Sequence, residues 1–290
     1  MIQLSSNWSD FEVLDAGDQE KLERWGNYIL RRPDPQAIWA QDPLQPWDKA
    51  NMFYHRSSKG GGFWDKEESM PASWNISLGK MKFIIHPTAF KHTGLFPEQA
   101  ANWEWLINKI QSSKKNIKVL NLFAYTGGAT VACALAGAEV CHVDASKGMI
   151  QVAKENIQIS NLKDAKVRFI VDDAVKFVER EIRRGSKYEG IIMDPPAYGR
   201  GPTGELWEIE KDLMQLIELC KQILSDEYLF VLINAYATSF SSLGIENILK
   251  TCFKADHKEL KIESGENALL IKKRDLLLPC GLFARLERLI

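Results

Sequence analysis

The stretch 118–146, KVLNLFAYTGGATVACALAGAEVCHVDAS, decides the fold. Lys118–Leu122 is a short apolar run. Tyr125-Thr126-Gly127-Gly128 then makes a turn, small residues carry a helix over 127–136, and a second apolar run follows at Glu139–Val143. Strand, glycine turn, helix and strand in the space of about 30 residues form the repeating unit of a parallel sheet, whose crossovers are right-handed.

The same alternation extends on both sides. Helices are expected over 97–112, 147–159, 174–183 and 208–225. Strands are expected at Lys166–Ile170, Gly190–Met193 and Tyr228–Ile233, with a final strand pair near 255–273. The fold class is therefore α/β, a mainly parallel sheet with helices on both faces. In such a sheet ligands sit outside the carboxyl ends of the strands, so the loops after each strand are the ones to read.

The amino-terminal part has a different character. RRPDPQAIWAQDPLQPWDKA and SSKGGGFWDKEESMPASWNISLGKMKFIIHP are rich in Trp, Pro and Gly, which favours short strands and turns over long helices. Trp74–Leu78 and Met81–Ile85 read as a hairpin around Gly79-Lys80, and a helix is expected before them near Gly17–Gly26. The expected division is a small β-rich domain at 1–90, with a possible role in substrate docking, and a larger domain at 91–290.

Composition narrows the function classes. Hydrophobic residues make up 45% and charged residues 26%, values of an ordinary globular chain. No apolar run reaches the roughly 18 residues of a membrane span, and the amino terminus lacks the order of a secretory signal, so a cytoplasmic protein without membrane contact is expected. The five cysteines are scattered with no C-x-x-C pair, which points to reduced, buried thiols and to no metal site. A net charge of −1 means that any grip on a nucleic-acid backbone is local.

The loops after the strands carry the chemistry. Gly127 and Gly128 open a helix whose unpaired N–H groups can face a ligand, yet the first glycine of G-x-G-x-x-G is missing, which argues against NAD or FAD. In VCHVDAS, Asp144 either accepts the two ribose hydroxyls of an adenosine or caps the following helix. In VDDA, Asp173, next to Ala174, either accepts from an adenine amino group or is again a helix cap. The fourth loop, Asp194-Pro195-Pro196-Ala197-Tyr198-Gly199, is the most specific. Its prolines fix the backbone and remove two N–H donors, leaving carbonyl acceptors and Asp194 for an amine-bearing substrate, with Tyr198 able to stack on a flat base.

Taken in order, NLFAYTGGAT, VDAS, VDDA and DPPAYG, preceded by KHTGLFPEQ, resemble the class I S-adenosylmethionine-dependent methyltransferases of the bacterial large-subunit ribosomal RNA type, those without a PUA module. The family segment K-T-G-x-(F/Y)-x-x-Q stands here with His92 between Lys91 and Thr93. The resemblance implies a Rossmann-like domain with a seven-stranded, mainly parallel sheet and S-adenosyl-L-methionine as cofactor. It implies that Phe96 and Gln99 line the cofactor pocket and that Tyr125, Thr126 and Gly127 surround the methionine part. Asp144 and Ser146 would hold the ribose, Asp173 with Ala174 the adenine, and Asp194, Pro195, Pro196 and Tyr198 the acceptor.

Family members that methylate C5 of a pyrimidine use a cysteine nucleophile, and neither DPPAYGRG nor LINAYATSFSS contains one, so transfer to a nitrogen is the expectation, with an oxygen as the lesser alternative. RNA, ribosomal in the first instance, is the expected partner, with Arg31, Arg32, Trp39, Lys59, Phe63 and Trp64 as candidate docking residues or, instead, as the small domain's core and solvated rim. A protein side chain or small amine as acceptor is the alternative, and a non-catalytic nucleotide-binding module is a further one. Oligomeric state is not legible in the sequence.

Overall fold

The computed structural model describes residues 1–5, 8–57, 61–89, 91–236, 239–253 and 260–289. Strand β1 (Ile2–Leu4) is followed by β2 (Phe11–Gly17), β3 (Glu20–Trp25) and β4 (Tyr28–Pro33), an antiparallel meander. The helix expected near Gly17–Gly26 is therefore replaced by a turn and strand β3, for a local reason. Asp18 and Gln19 take φ values of 49° and 66°, the paired left-handed conformation of a two-residue hairpin turn, which folds β3 back on β2. Pairing with β4 then satisfies a buried ion pair, since Glu23 accepts from Arg32 Nε at 2.7 Å and from its Nη2 at 2.9 Å.

Strand β5 (Met52–Arg56) lies parallel to β4, and β6 (Gly62–Lys66) lies antiparallel to β5, giving a five-stranded sheet in sequence order. Strands β7 (Trp74–Leu78) and β8 (Met81–Ile85) form the hairpin expected around Gly79-Lys80. Phe11, Leu22, Trp25, Leu30, Ile76 and Phe83 are buried, with the Phe11 and Trp25 rings 4.7 Å apart in an edge-on contact.

The second half alternates as its apolar runs require. It comprises α1 (Ala100–Ser112), β9 (Lys118–Leu122), α2 (Gly128–Leu135), β10 (Glu139–Asp144), α3 (Lys147–Ile159), β11 (Val167–Val171), α4 (Ala174–Arg184) and β12 (Gly190–Met193). A short hairpin follows, β13 (Tyr198–Arg200) and β14 (Leu206–Glu208). Then come α5 (Ile209–Gln222), β15 (Phe230–Ala235), α6 (Ser242–Cys252), β16 (Leu260–Ile271) and β17 (Leu276–Arg288).

The large sheet has the order β1-β16-β17-β15-β12-β9-β10-β11. Strands β15, β12, β9, β10 and β11 run parallel, and β17 joins antiparallel to β15. The expected seven strands are present, and the amino-terminal β1 adds an eighth. The final strand pair occupies 260–271 and 276–288, later in the chain than 255–273, and the first part of that expected range lies outside the described residues.

Both faces of this sheet are covered, which is why its strands read as continuous apolar runs. Leu120, Leu122, Val143, Ile191 and Met193 pack with residues of α4, α5 and α6. The alternate positions Val119, Val140 and Ile192 pack with Leu106 and Ile110 of α1 and Cys133 of α2. The period of two along each strand thus sorts side chains into two apolar layers.

The chain divides into two compact units. One holds Met1–Gln3, Asn102–Asn267 and Gly281–Ile290, and the other holds Leu4–Ala101 with Ala268–Cys280. Arg274 is one reason that the second segment belongs with the β-rich unit. Its guanidinium donates to Asp15 Oδ1 at 3.0 Å and to the Ala40 carbonyl at 2.9 Å, and Asp15 is fully buried.

Candidate functional site

In the unit built on the large sheet, the loops after β9, β10, β11 and β12 leave the same edge. Where β9 ends, Phe123, Tyr125 and Gly127 all have positive φ, at 53°, 50° and 83°. Glycine suits the last of these, because a Cβ there would lie 3.0 Å from Ala153 Cβ as well as in the left-handed region. Gly127 is also the N-cap of α2 and supplies no side-chain cap, so the first amides of that helix have no side-chain acceptor among the described residues.

Asp144 ties two of these loops together. Its Oδ2 accepts from Tyr125 N and its Oδ1 from Ser146 N, each at 2.8 Å, and burial raises its pKa. It does not cap α3. That role falls to Ser146, whose hydroxyl accepts from Met149 N. A carboxylate has about four acceptor positions, so two remain after the amides are satisfied. Thr126 is buried, and its carbonyl accepts from Asn156 of α3 at 2.8 Å.

Beneath the loop runs a buried polar chain that sequence reasoning missed. Asn121 of β9 donates to Thr130 Oγ1 of α2 at 2.9 Å, and the same hydroxyl lies 2.9 Å from His142 Nδ1 of β10. With one proton and two acceptor positions, the hydroxyl bridges the Asn121 amide and the imidazole. Burial pushes the His142 pKa down to about 3, so the ring is neutral, and the imidazole faces the Tyr125 main chain. The signal in the sequence was the polar side chain inside each apolar run, Asn121 and His142, which a fully covered sheet tolerates only with partners.

At the end of β11, Asp173 is the N-cap of α4, its Oδ1 accepting from Lys176 N at 2.9 Å. Ala174 beside it is buried. Asp172 is paired with Arg180, which leaves Asp173 as the less committed of the two carboxylates. A Cβ on Gly201 would stand 3.0 Å from Asp173 Oδ2, so the turn that follows β13 passes directly over this carboxylate.

The loop after β12 is pinned from both sides. Asp194 N donates to Leu122 O, Trp207 Nε1 donates to Pro196 O at 2.8 Å, and Ile209 N donates to Ala197 O at 3.0 Å. The β13–β14 hairpin that delivers Trp207 was not foreseen, although GRGPTGE between two short apolar segments is a turn signal. Pro195 is buried and its carbonyl has no donor among the described residues. Pro196 is exposed, and Tyr198 is 57% exposed.

Phe96 and Gln99 belong to the β-rich unit, where Pro97–Gln99 form a 3-10 turn and Gln99 is 4% exposed. The docking candidates of that unit divide. Arg32 is buried on Glu23, Arg31 pairs with Glu20 at 2.5 Å and lies 4.4 Å from the Phe53 ring centroid, and Trp39 and Trp64 donate to the carbonyls of Ala16 and Thr88. Phe63 is 63% exposed, and Lys59 lies outside the described residues.

All five cysteines are free and buried, with the pKa of Cys133, Cys141, Cys220, Cys252 and Cys280 raised by desolvation. Among the described residues no cluster of His, Cys, Asp or Glu is placed to hold a metal ion, and no helix is long and apolar enough to cross a membrane. A cleft of about 470 Å³ opens at the opposite, amino-terminal edge of β9–β11, lined among others by Lys118, Lys166, Arg168, Lys187 and Tyr188.

The family description "S-adenosylmethionine-dependent methyltransferase" matches residues 32–247. The crystal structure of the SAM Dependent Methyltransferase from Agrobacterium tumefaciens is 38% identical, with a TM-score of 0.94 over 99% of this chain and 93% of that one. The Ribosomal RNA large subunit methyltransferase K/L of Shewanella frigidimarina is 30% identical over 221 residues, 73% of this chain and 30% of the relative. The Ribosomal RNA large subunit methyltransferase K of Neisseria meningitidis is 22% identical over 262 residues, 85% and 73% of the two chains. The chain spans 20% to 38% of the length of five curated relatives that it matches, including that of Shewanella. The extent of the family match and the near-complete overlap with the Agrobacterium structure agree with the loop chemistry, and the chain belongs to the S-adenosylmethionine-dependent methyltransferases.

Proposed function

We propose that this chain transfers a methyl group from S-adenosylmethionine to a nitrogen of an RNA base, with ribosomal RNA as the substrate. The observation that carries the reading is the state of the Asp-Pro-Pro loop. Trp207 and Ile209 occupy the carbonyls of Pro196 and Ala197, while the Pro195 carbonyl beside Asp194 is left for a substrate donor.

The residues present fit the cofactor. Asp144 keeps two acceptor positions for the ribose hydroxyls, with Ser146 beside it, and Asp173 with Ala174 stands at the next strand end for the adenine amino group. The Tyr125–Gly127 turn and the uncapped first amides of α2 suit the methionine part. Phe96 and Gln99 are assigned to the pocket on the resemblance alone. When bound, S-adenosylmethionine supplies an electrophilic methyl group on a sulfonium.

The work of the chain is orientation. Asp194 and the Pro195 carbonyl accept N–H bonds from the acceptor nitrogen and so direct its lone pair, and Tyr198 stacks on the base. Holding reactants in near-attack geometry can lower a barrier by roughly 7–11 kcal/mol in favourable cases. A base within a duplex has to be flipped out to reach such a loop, whereas a looped base enters directly. The buried, high-pKa cysteines support transfer to nitrogen over C5 chemistry, because a covalent route needs an accessible thiolate. The relatives named as ribosomal RNA methyltransferases support the substrate class.

The test incubates the chain with labelled S-adenosylmethionine and deproteinised ribosomal RNA, followed by nucleoside analysis. Label in an N-methylated nucleoside is the expected result, and Asp194→Ala lowers kcat by at least tenfold with cofactor affinity unchanged within a few-fold. Label in a nuclease-resistant polypeptide establishes the second reading, a protein acceptor, which the net charge of −1 favours.

A further inference from the structure

The β13–β14 hairpin extends the loop that holds the acceptor, and its two faces differ. Tyr198 stands opposite Glu208 and Arg200 opposite Leu206, so these four side chains share one face while Gly199 and Trp207 share the other. The Trp207 face is buried. Its ring lies 4.9 Å from Phe123 in the cofactor loop, and its indole N–H is spent on Pro196 O.

The opposite face is open. Tyr198 is 57% and Leu206 52% exposed, Arg200 is exposed, and Arg200 makes no ion pair among the described residues. Glu208, the one acid on this face, is neutralised by Lys211 at 2.6 Å.

The hairpin is also held in place at its tip. Glu205 accepts from Lys176 of α4, from the Thr203 hydroxyl, and from Thr203 N at 3.0 Å, and Gly201 N donates to Glu205 O at 2.9 Å. With Ile209 bonded to Ala197 at the base, the ribbon is fixed at both ends before any ligand arrives. An aromatic ring, an apolar side chain and an unpaired guanidinium on one rigid face, continuous with the Asp-Pro-Pro loop, match a single-stranded polynucleotide, whose bases stack and whose phosphates pair with arginine.

The geometry points to the β13–β14 ribbon as the platform for the nucleotide next to the acceptor base, with Leu206 under that base and Arg200 on its phosphate. This rests on the RNA reading above and adds to it two residues, Arg200 and Leu206, that touch neither cofactor nor acceptor atom. They are positioning residues, and they confine the RNA grip to one strip of a chain whose overall charge is −1.

The experiment uses the full chain and a mixed-sequence single-stranded RNA oligonucleotide, with binding followed by fluorescence anisotropy over a series of KCl concentrations. Arg200→Ala is expected to weaken RNA binding by about five- to tenfold and to reduce the slope of log K against log[salt] by about 0.7, the value for one phosphate on a single strand. Leu206→Ser weakens binding a few-fold with the slope unchanged, and Arg200→Lys restores the slope. In all three, S-adenosylmethionine affinity and kcat at saturating RNA stay within twofold of wild type. If Arg200→Ala binds RNA with wild-type affinity and slope while the wild-type chain methylates RNA, the platform is wrong and the RNA reading stands. A wild-type chain that neither binds nor methylates RNA overturns both.

Discussion

Replacing Asp144 by asparagine separates two jobs that the structure gives to one carboxylate. Each oxygen accepts a main-chain N–H at 2.8 Å, from Tyr125 and from Ser146. Asparagine keeps one acceptor and turns an NH2 group toward the other donor. One charge-assisted bond is lost, at a cost of about 1.5–3 kcal/mol in unfolding free energy. The amide also has too few acceptor positions for two ribose hydroxyls, so S-adenosylhomocysteine affinity falls by a further 10- to 100-fold, on the order of 1.4–3 kcal/mol. Urea unfolding measures the first loss and titration calorimetry the second. The same carboxylate predicts a pH dependence. Burial raises its pKa, so on acidification the wild-type chain loses cofactor affinity at a higher pH than a solvated aspartate would give. For folding the sign is opposite. The raised pKa favours the protonated form in the fold, so the stability that it contributes is present at low pH and is lost as pH rises through the folded value. A variant with the expected loss of stability but unchanged affinity would refute the ribose assignment and leave Asp144 as a tie between loops.

Other outcomes follow from single contacts. Thr130→Val keeps the shape but leaves Asn121 Nδ2 and His142 Nδ1 without their partner, and is expected to cost about 2–4 kcal/mol in urea unfolding, with cofactor affinity falling as the loop above loosens. Trp207→Phe removes the donor to Pro196 O, so kcat falls while calorimetric cofactor affinity is preserved. Glu98, buried in the β-rich unit, has its pKa pushed from 4.5 to about 7 by desolvation. Its protonated form is favoured in the fold, so the stability that it contributes below pH 4.5 is lost as pH rises through 7, by up to roughly 3 kcal/mol. Glu98→Gln should therefore raise the melting temperature relative to wild type at pH 8 and have little effect at pH 4.5.

Much of the sheet unit was legible because a doubly covered parallel sheet writes its strands as apolar runs and its loops as glycine or acidic breaks. Lys118–Leu122 and Gly190–Met193 are found as expected, and α2 begins at the glycine pair. The strand-end logic brought Asp144, Asp173 and Asp194 to one edge, but it did not reveal the structural bonds that these side chains already make. Those depend on residues distant in sequence, such as Tyr125 on Asp144.

Local patterns misled where the turn decided the element. QEKLERW carries a helical spacing of charges, yet the left-handed Asp18-Gln19 pair makes it a strand. The β13–β14 ribbon was missed because its strands are three residues each and borrow their apolar face from Trp207, and α6 was missed, although as long as α4, because Gly244 stands in its first turn and its apolar face, Ile245 and Leu249, belongs to the shared core. The buried Asn121–Thr130–His142 chain was hidden because each member sits singly in an apolar run, and only the fold brings the three together.

The most direct test of the account is a crystal structure of the chain with S-adenosylhomocysteine. The ribose hydroxyls are expected on Asp144, the adenine amino group beside Asp173, and the sulfur turned toward the Pro195 carbonyl. Ligand bound instead in the cleft at the amino-terminal edge of the sheet, among Lys118, Lys166 and Arg168, would contradict it.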